Sequence, residues 1–151
     1  FVAMQLLNMV FGGGMTSKLF SHIRETLSLC YAIGSGFHGS KGILTVSAGI
    51  DSNMDKTVRE EVLRQLDACC RGEITQEELN AGKKAILSSL RGIPDSTGAL
   101  EGFYGTAGIS GMLWDVPQYM ERVAAVTVRD VARVASTLSL HTQFLLKGVA
   151  E

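Results

Sequence analysis

Arg24 and Tyr31 are the two side chains whose types and spacing suit recognition of a peptide carbonyl. Arg24 comes four residues after Phe20 and three before Leu27. That spacing sets it at the border of an apolar helical stripe, where a cation can reach into a cleft. Tyr31 follows the expected helix end by a few residues, so the two are expected near one another. A guanidinium supplies a forked cation. A phenol supplies a hydroxyl donor, and together they suit a carbonyl or a developing oxyanion. Residue types alone leave open a plainer reading, a surface arginine and a tyrosine at the edge of the core.

Other chemistries are poorly served. Gly12-Gly-Gly-Met-Thr-Ser-Lys18 superficially suggests a phosphate loop, but its spacing fails G-x-x-x-x-G-K-[ST] and it joins two helices instead of a strand and a helix. Ser17 and Ser47 lack a nucleophile-elbow context, and Cys30 has no evident activating base. The three cysteines, Cys30, Cys69 and Cys70, form no C-x-x-C pair and have no nearby histidines. They read as small buried hydrophobes, and their odd number fits a reducing compartment, hence a cytoplasmic location.

The elements that must position Arg24 and Tyr31 follow from patterning. Val2 to Val10 reads as a helix stopped by Gly12, Gly13 and Gly14, since glycine takes the left-handed cap conformation readily. Thr16 or Ser17 can cap a second helix running to about Leu27, with Leu19, Phe20, Ile23 and Leu27 as its apolar stripe. Two strands are expected next, about Tyr31 to His38 and Gly42 to Ile50. In the second, Leu44, Val46, Ala48 and Ile50 share one face. The short Gly39–Gly42 connection makes the pair an antiparallel hairpin.

A helix from about Met54 to Arg71 buries Val58, Val62, Leu66 and Cys69, and Gly72 closes it. Thr75-x-x-Glu78 is a capping box for the next helix, whose inward residues are Leu79, Ile86 and Leu90, with Gly92 and Pro94 at its end. Glycines at 98, 102, 105, 108 and 111 would lay a smooth face along a further helix, which calls for close packing. Asp115 starts a short helix through about Val126, and Thr127-x-x-Asp130 starts another, with Val128, Val131, Ala135 and Leu138 inward. Gln143 to Lys147 is expected as a closing strand. The expected architecture is α+β: a mostly antiparallel sheet with helices packed on one face.

Composition bounds the rest. The 151 residues amount to one domain at most, with 46% hydrophobic and 19% charged residues, enough for an ordinary core. The net charge is −1, from 14 basic and 15 acidic residues, and no run of five like charges occurs. Binding to nucleic acid or to an anionic membrane surface is therefore not expected, and no segment reaches the roughly 18 apolar residues of a membrane span. The apolar opening, Phe1 to Phe11, has no basic n-region and is a poor signal peptide. It reads as a helix entered part-way through a domain. An N-terminally incomplete sheet would expose an edge, so this piece is expected to form homodimers or aggregates.

The stretch from Gly12 to Tyr31 resembles the pitrilysin/insulinase family of zinc metallopeptidases. The matching residues are Gly13-Gly14 or the preceding pair, Ser17-Lys18-Leu19-Phe20, Arg24-Glu25 and Leu29-Cys30-Tyr31, followed by the glycine-bounded strands and the Glu73-to-Leu79 helix start. The likeness is specific across residues 1 to about 91 and looser to about 148. Lys18 stands where the family usually has arginine, and Ser28 where it usually has glycine. The resemblance implies one partial metallopeptidase-type α/β roll domain spanning 1–151, a later domain that lacks the zinc motif.

The family's catalytic motif is His-x-x-Glu-His, with two histidines on one helical face and a glutamate as general base. Here His22-Ile-Arg-Glu25 is followed by Thr26, and His38 and His141 are remote. No residue of this chain is therefore expected to be catalytic or to bind metal. His22 reads as a solvent-facing helical histidine, and His38 and His141 as residues bordering strands. By resemblance, Arg24 and Tyr31 contact a peptide substrate, while zinc is bound elsewhere in the full-length protein or by a homologous peptidase domain or subunit. The chain alone is expected to be inactive. The alternative is an inactive, scaffold-like partner subunit, with the glycine-lined helix as an assembly surface.

Overall fold

The computed structural model describes residues 1–112 and 114–147. Helix α1 (Val2–Phe11) leads into a π-helix (Leu19–Thr26), then strands β1 (Ala32–His38) and β2 (Ile43–Gly49). Helices α2 (Asp55–Cys70) and α3 (Gln76–Arg91) follow, then a 3₁₀ turn (Ile93–Asp95), and finally α4 (Thr97–Ser110), α5 (Val116–Ala125) and α6 (Val128–Ala135). The mixed helix-and-antiparallel-hairpin fold is the one the patterning anticipates.

Helix α1 is the hub of the core. Leu6, Leu7, Val10 and Phe11 are almost fully buried, and α1 packs against β1, α2, α3, α5 and α6. Capping chemistry explains where the later helices start. Thr75 with Glu78, Asp115 with Gln118 and Thr127 with Asp130 each form a reciprocal capping box, satisfying backbone N–H groups that a helix start leaves unpaired. In α6, Val131 and Ala135 are fully buried, with Val128 and Leu138 packed beside them.

The hairpin pairs Ala32 with Gly49, Ser35 with Val46 and His38 with Ile43. Gly42 sits at φ +63 in its turn, a conformation that favours glycine. Leu44 and Ile50 pack on the core, but Val46 and Ala48 are exposed. The helices explain this: α1 and the π-helix lie against β1, so the expected apolar face of β2 is covered only in part.

Three further expectations need correction. Gln143–Lys147 forms no strand: no described strand lies alongside to pair with it, and Phe144 and Leu146 stand more than four-fifths exposed. The glycine face of α4 is not closely packed, since a Cβ added at Gly98, Gly102, Gly105 or Gly108 would meet no described atom within 4 Å. Gly12 ends α1 at φ −152, outside the left-handed region. What requires glycine there is proximity: an added Cβ would fall 2.7 Å from Ser35 Oγ and 2.9 Å from Leu19 Cδ1.

Candidate functional site: the Arg24–Tyr31 rim

The π-helix carries Arg24, and its winding decides which residues are buried. Ser17, almost fully buried, accepts a hydrogen bond from the Phe20 N–H at 3.4 Å and so opens the helix. Leu27 N–H reaches back five residues to the His22 carbonyl, the bonding pattern of a π-helix, which occurs mostly in short segments and often at functional sites. Leu19 and Ile23 are completely buried, whereas Leu27 is 40% exposed. The expected stripe assumed ordinary α-helical spacing. The wider turn rotates Leu27 out of it.

Arg24 is half-buried beside this stripe. Its guanidinium lies 4.7 Å from the Phe20 ring centroid, within reach of a cation–π attraction. Its Nε–H donates to the backbone carbonyl of Tyr31 at 3.0 Å, and Nη1 donates to Glu25 at 3.2 Å. The two sequence-selected residues are thus brought together, through the backbone of one of them.

Tyr31 enters β1 with its N–H bonded to the Gly49 carbonyl at 2.8 Å. The residue is 68% exposed, and its hydroxyl donates to the Asp51 carboxylate. By accepting that hydrogen bond, and then by its charge, Asp51 holds the phenol above its usual pKa; slight desolvation adds to this. Burial also pushes the Cys30 thiol up, opposed by the nearby charge of Arg24. The rim therefore presents a phenol and a guanidinium at the surface, flanked by Glu25 and Asp51. Such a set can donate hydrogen bonds to acceptor oxygens.

Two carboxylates that sequence reasoning passed over matter here. Asp51 lies in the connection after β2 and carries no local signal of its role. Glu61 had one: it sits between Val58 and Val62, on the inward side of α2. It is only 4% exposed, and it accepts from His22 Nε2 at 3.1 Å, Arg64 Nη1 at 2.6 Å and Gln65 Nε2 at 2.9 Å. His22 is therefore engaged with Glu61, while its side chain stays 41% exposed. His38 ends β1 with Nε2 3.4 Å from Thr45 Oγ1. His141 borders no described strand and contacts its neighbour Thr142. Among the described residues, no group of three or more His, Cys, Asp or Glu side chains is arranged to hold a metal ion.

A separate apolar cavity of about 510 Å³ opens between α1, α3, α4 and α5, with Phe1, Phe37, Phe103 and Tyr119 among its walls. Phe37 is six residues along β1 from Tyr31, roughly 20 Å away, so the cavity does not belong to the rim. No described helix is long and apolar enough to cross a membrane.

Residues 1–86 match the family described as "Peptidase M16 inactive domain", and the chain belongs to that family. It is 26% identical, over 97% of its length, to the probable inactive metalloprotease YmfF of Bacillus subtilis, and covers 34% of that protein. It is 32% identical over 88% of its length to the uncharacterized zinc protease SCO5738 of Streptomyces coelicolor, covering 30% of it. The chain thus spans about a third or less of the curated relatives it matches. Among solved structures, a conserved protein from Enterococcus faecalis superposes with a TM-score of 0.84 at 28% identity, over 90% of this chain and 32% of that one. A peptidase M16 inactive domain from Pseudomonas fluorescens shares the fold, with a TM-score of 0.77 at 22% identity, over 90% of this chain and 33% of that one.

Proposed function

We propose that this chain is a single non-catalytic, substrate-binding domain that holds peptides for hydrolysis at a zinc site in another domain or subunit. The observation that carries this reading is the exposed rim, where Arg24 is bonded to the Tyr31 carbonyl and the Tyr31 phenol stands at the surface. Membership of an inactive-domain family within zinc-protease relatives supports it. Tyr31 exchanges its bond to Asp51 for one to the scissile carbonyl oxygen, and Arg24 holds the peptide and supports the Tyr31 backbone. A zinc ion, held by residues of that other domain or subunit, would supply the activated water. A donor placed on developing negative charge is worth roughly a hundredfold in rate. Tyr31→Phe in the complete protein is therefore expected to lower kcat for a peptide by that order with little change in KM; identical kinetics would defeat the assignment.

A second reading draws on the similarity to a probable inactive metalloprotease and on the open glycine face of α4. In it, the chain is a scaffold that joins an active peptidase subunit without contributing to hydrolysis. Three free cysteines fit a reducing, cytoplasmic setting for either reading. The exposed hairpin and the apolar Phe144 and Leu146 favour self-association of the chain, which light scattering across a concentration series would measure.

A further inference from the structure

The π-helix is tied down on the side away from Arg24. Residues two apart on a helix do not share a face, so Lys18 and His22 project opposite to Phe20 and Arg24. Lys18 Nζ lies 3.0 Å from Glu78 Oε1 of α3, and His22 Nε2 lies 3.1 Å from Glu61 Oε1 of α2. An ionised carboxylate only accepts, so in both contacts the donor is on the π-helix or on Lys18, its N-cap residue. Neither anchor is loose. Glu78 Oε2 also accepts the Thr75 N–H at 2.8 Å within the capping box of α3, and Glu61 is pinned by Arg64 and Gln65.

Leu19 and Ile23 attach the same helix to the core, but hydrophobic burial is non-directional and leaves rotation about the helix axis soft. Hydrogen bonds are directional. A half-turn of roll would carry the Arg24 Nε–H off the Tyr31 carbonyl. Glu61 is the only buried carboxylate among the described residues, and a buried ion pair is by itself weak evidence for stability.

We propose that Glu61 and Glu78 are positioning residues which, through His22 and Lys18, set the rotation of the π-helix that keeps Arg24 on the Tyr31 carbonyl. This rests on the reading of Arg24 as a substrate contact, because its functional consequence is a preset peptide grip. It assigns a role to His22, the histidine of the π-helix.

The test is solvent exchange of the Arg24 Nε–H, followed by NMR in the isotope-labelled 151-residue chain. Losing one net hydrogen bond corresponds to a factor of about five. Lys18→Ala/His22→Ala is expected to speed exchange by that order or more. His22→Gln, whose amide can still donate to Glu61, is expected to restore the wild-type rate. Leu90→Ala, which weakens the core at the far end of α3, is the control for general destabilisation and is expected to leave the exchange unchanged. Unaltered exchange in the double variant, or equal acceleration by Leu90→Ala, overturns the proposal. A separate arm measures binding of an extended synthetic peptide to Arg24→Ala. If exchange responds to the latches while Arg24→Ala binds peptide like wild type, the positioning holds and the substrate-contact reading falls.

Discussion

The guanidinium of Arg24 meets Tyr31 at its backbone carbonyl, 3.0 Å from Nε, while the Tyr31 phenol turns to Asp51. The arginine therefore braces the first residue before β1, and the phenol is left at the surface. A lysine in its place would keep the charge but lose the planar fork and the flat contact with Phe20. Arg24→Lys is expected to cost about 0.5–1 kcal/mol in urea unfolding, nearly as much as Arg24→Ala. A lysine variant as stable as wild type would show that charge alone matters.

The Tyr31–Asp51 contact predicts a pH response with a defined sign. The folded pKa of Tyr31 is raised above the ordinary phenol value of about 10. The contact therefore contributes its full stability below about pH 10 and loses it as pH rises through the folded pKa. In a spectrophotometric tyrosine titration, one phenol of the wild type should ionise later than in Asp51→Asn, where it returns towards the ordinary range. Superimposable curves would place the Tyr31 hydroxyl away from the carboxylate in solution.

Cysteine chemistry separates core from rim. Burial pushes the Cys69 thiol up to about 12, and its side chain is fully enclosed. Only thiolate reacts with alkylating reagents, so at mildly alkaline pH Cys69 should be labelled only through unfolding. Cys30, half-buried beside Arg24, should be labelled slowly in the folded chain. By linkage, the neutral Cys69 thiol stabilises the fold fully below about pH 9 and progressively less as pH rises towards 12. Mass spectrometry of timed labelling would check the order; Cys69 reacting ahead of Cys30 in native buffer would contradict it.

The residues explain which of these features could be read in the sequence. Thr75 with Glu78 and Thr127 with Asp130 are three apart and act locally, so the starts of α3 and α6 were visible in the spacing. The Gly39–Gly42 turn likewise announced its hairpin. Arg24 and Tyr31 were brought out by residue type and by resemblance, because seven positions of chain keep them close. The partners that tune them were not visible. Asp51 is 20 residues from Tyr31, and His22 meets Glu61 from another helix, so only tertiary packing joins them. The π-winding also escaped detection, since an apolar stripe at spacings of three and four fits an α-helix equally well. Gln143–Lys147 has the composition of a strand, but a strand exists only where another edge accepts it.

Two glycines predict opposite outcomes for the same substitution. Gly12 lies where an added Cβ would approach Ser35 Oγ at 2.7 Å and Leu19 Cδ1 at 2.9 Å. Both neighbours belong to packed elements, β1 and the π-helix. Gly12→Ala should therefore displace the start of the π-helix and destabilise by about 1–3 kcal/mol. Gly102 lies inside α4 with no described atom within 4 Å of its added Cβ. Gly102→Ala there should raise stability by about 0.5–1 kcal/mol, because alanine loses less backbone entropy on entering a helix. Urea midpoints at constant slope would measure both. A destabilising Gly102→Ala would mean that this face is packed closely in solution, with a second copy or another subunit as the surface that covers it. Adding the same variant to a light-scattering series would then tell a self-contact, which should weaken, from a contact within one chain, which should leave the mass unchanged.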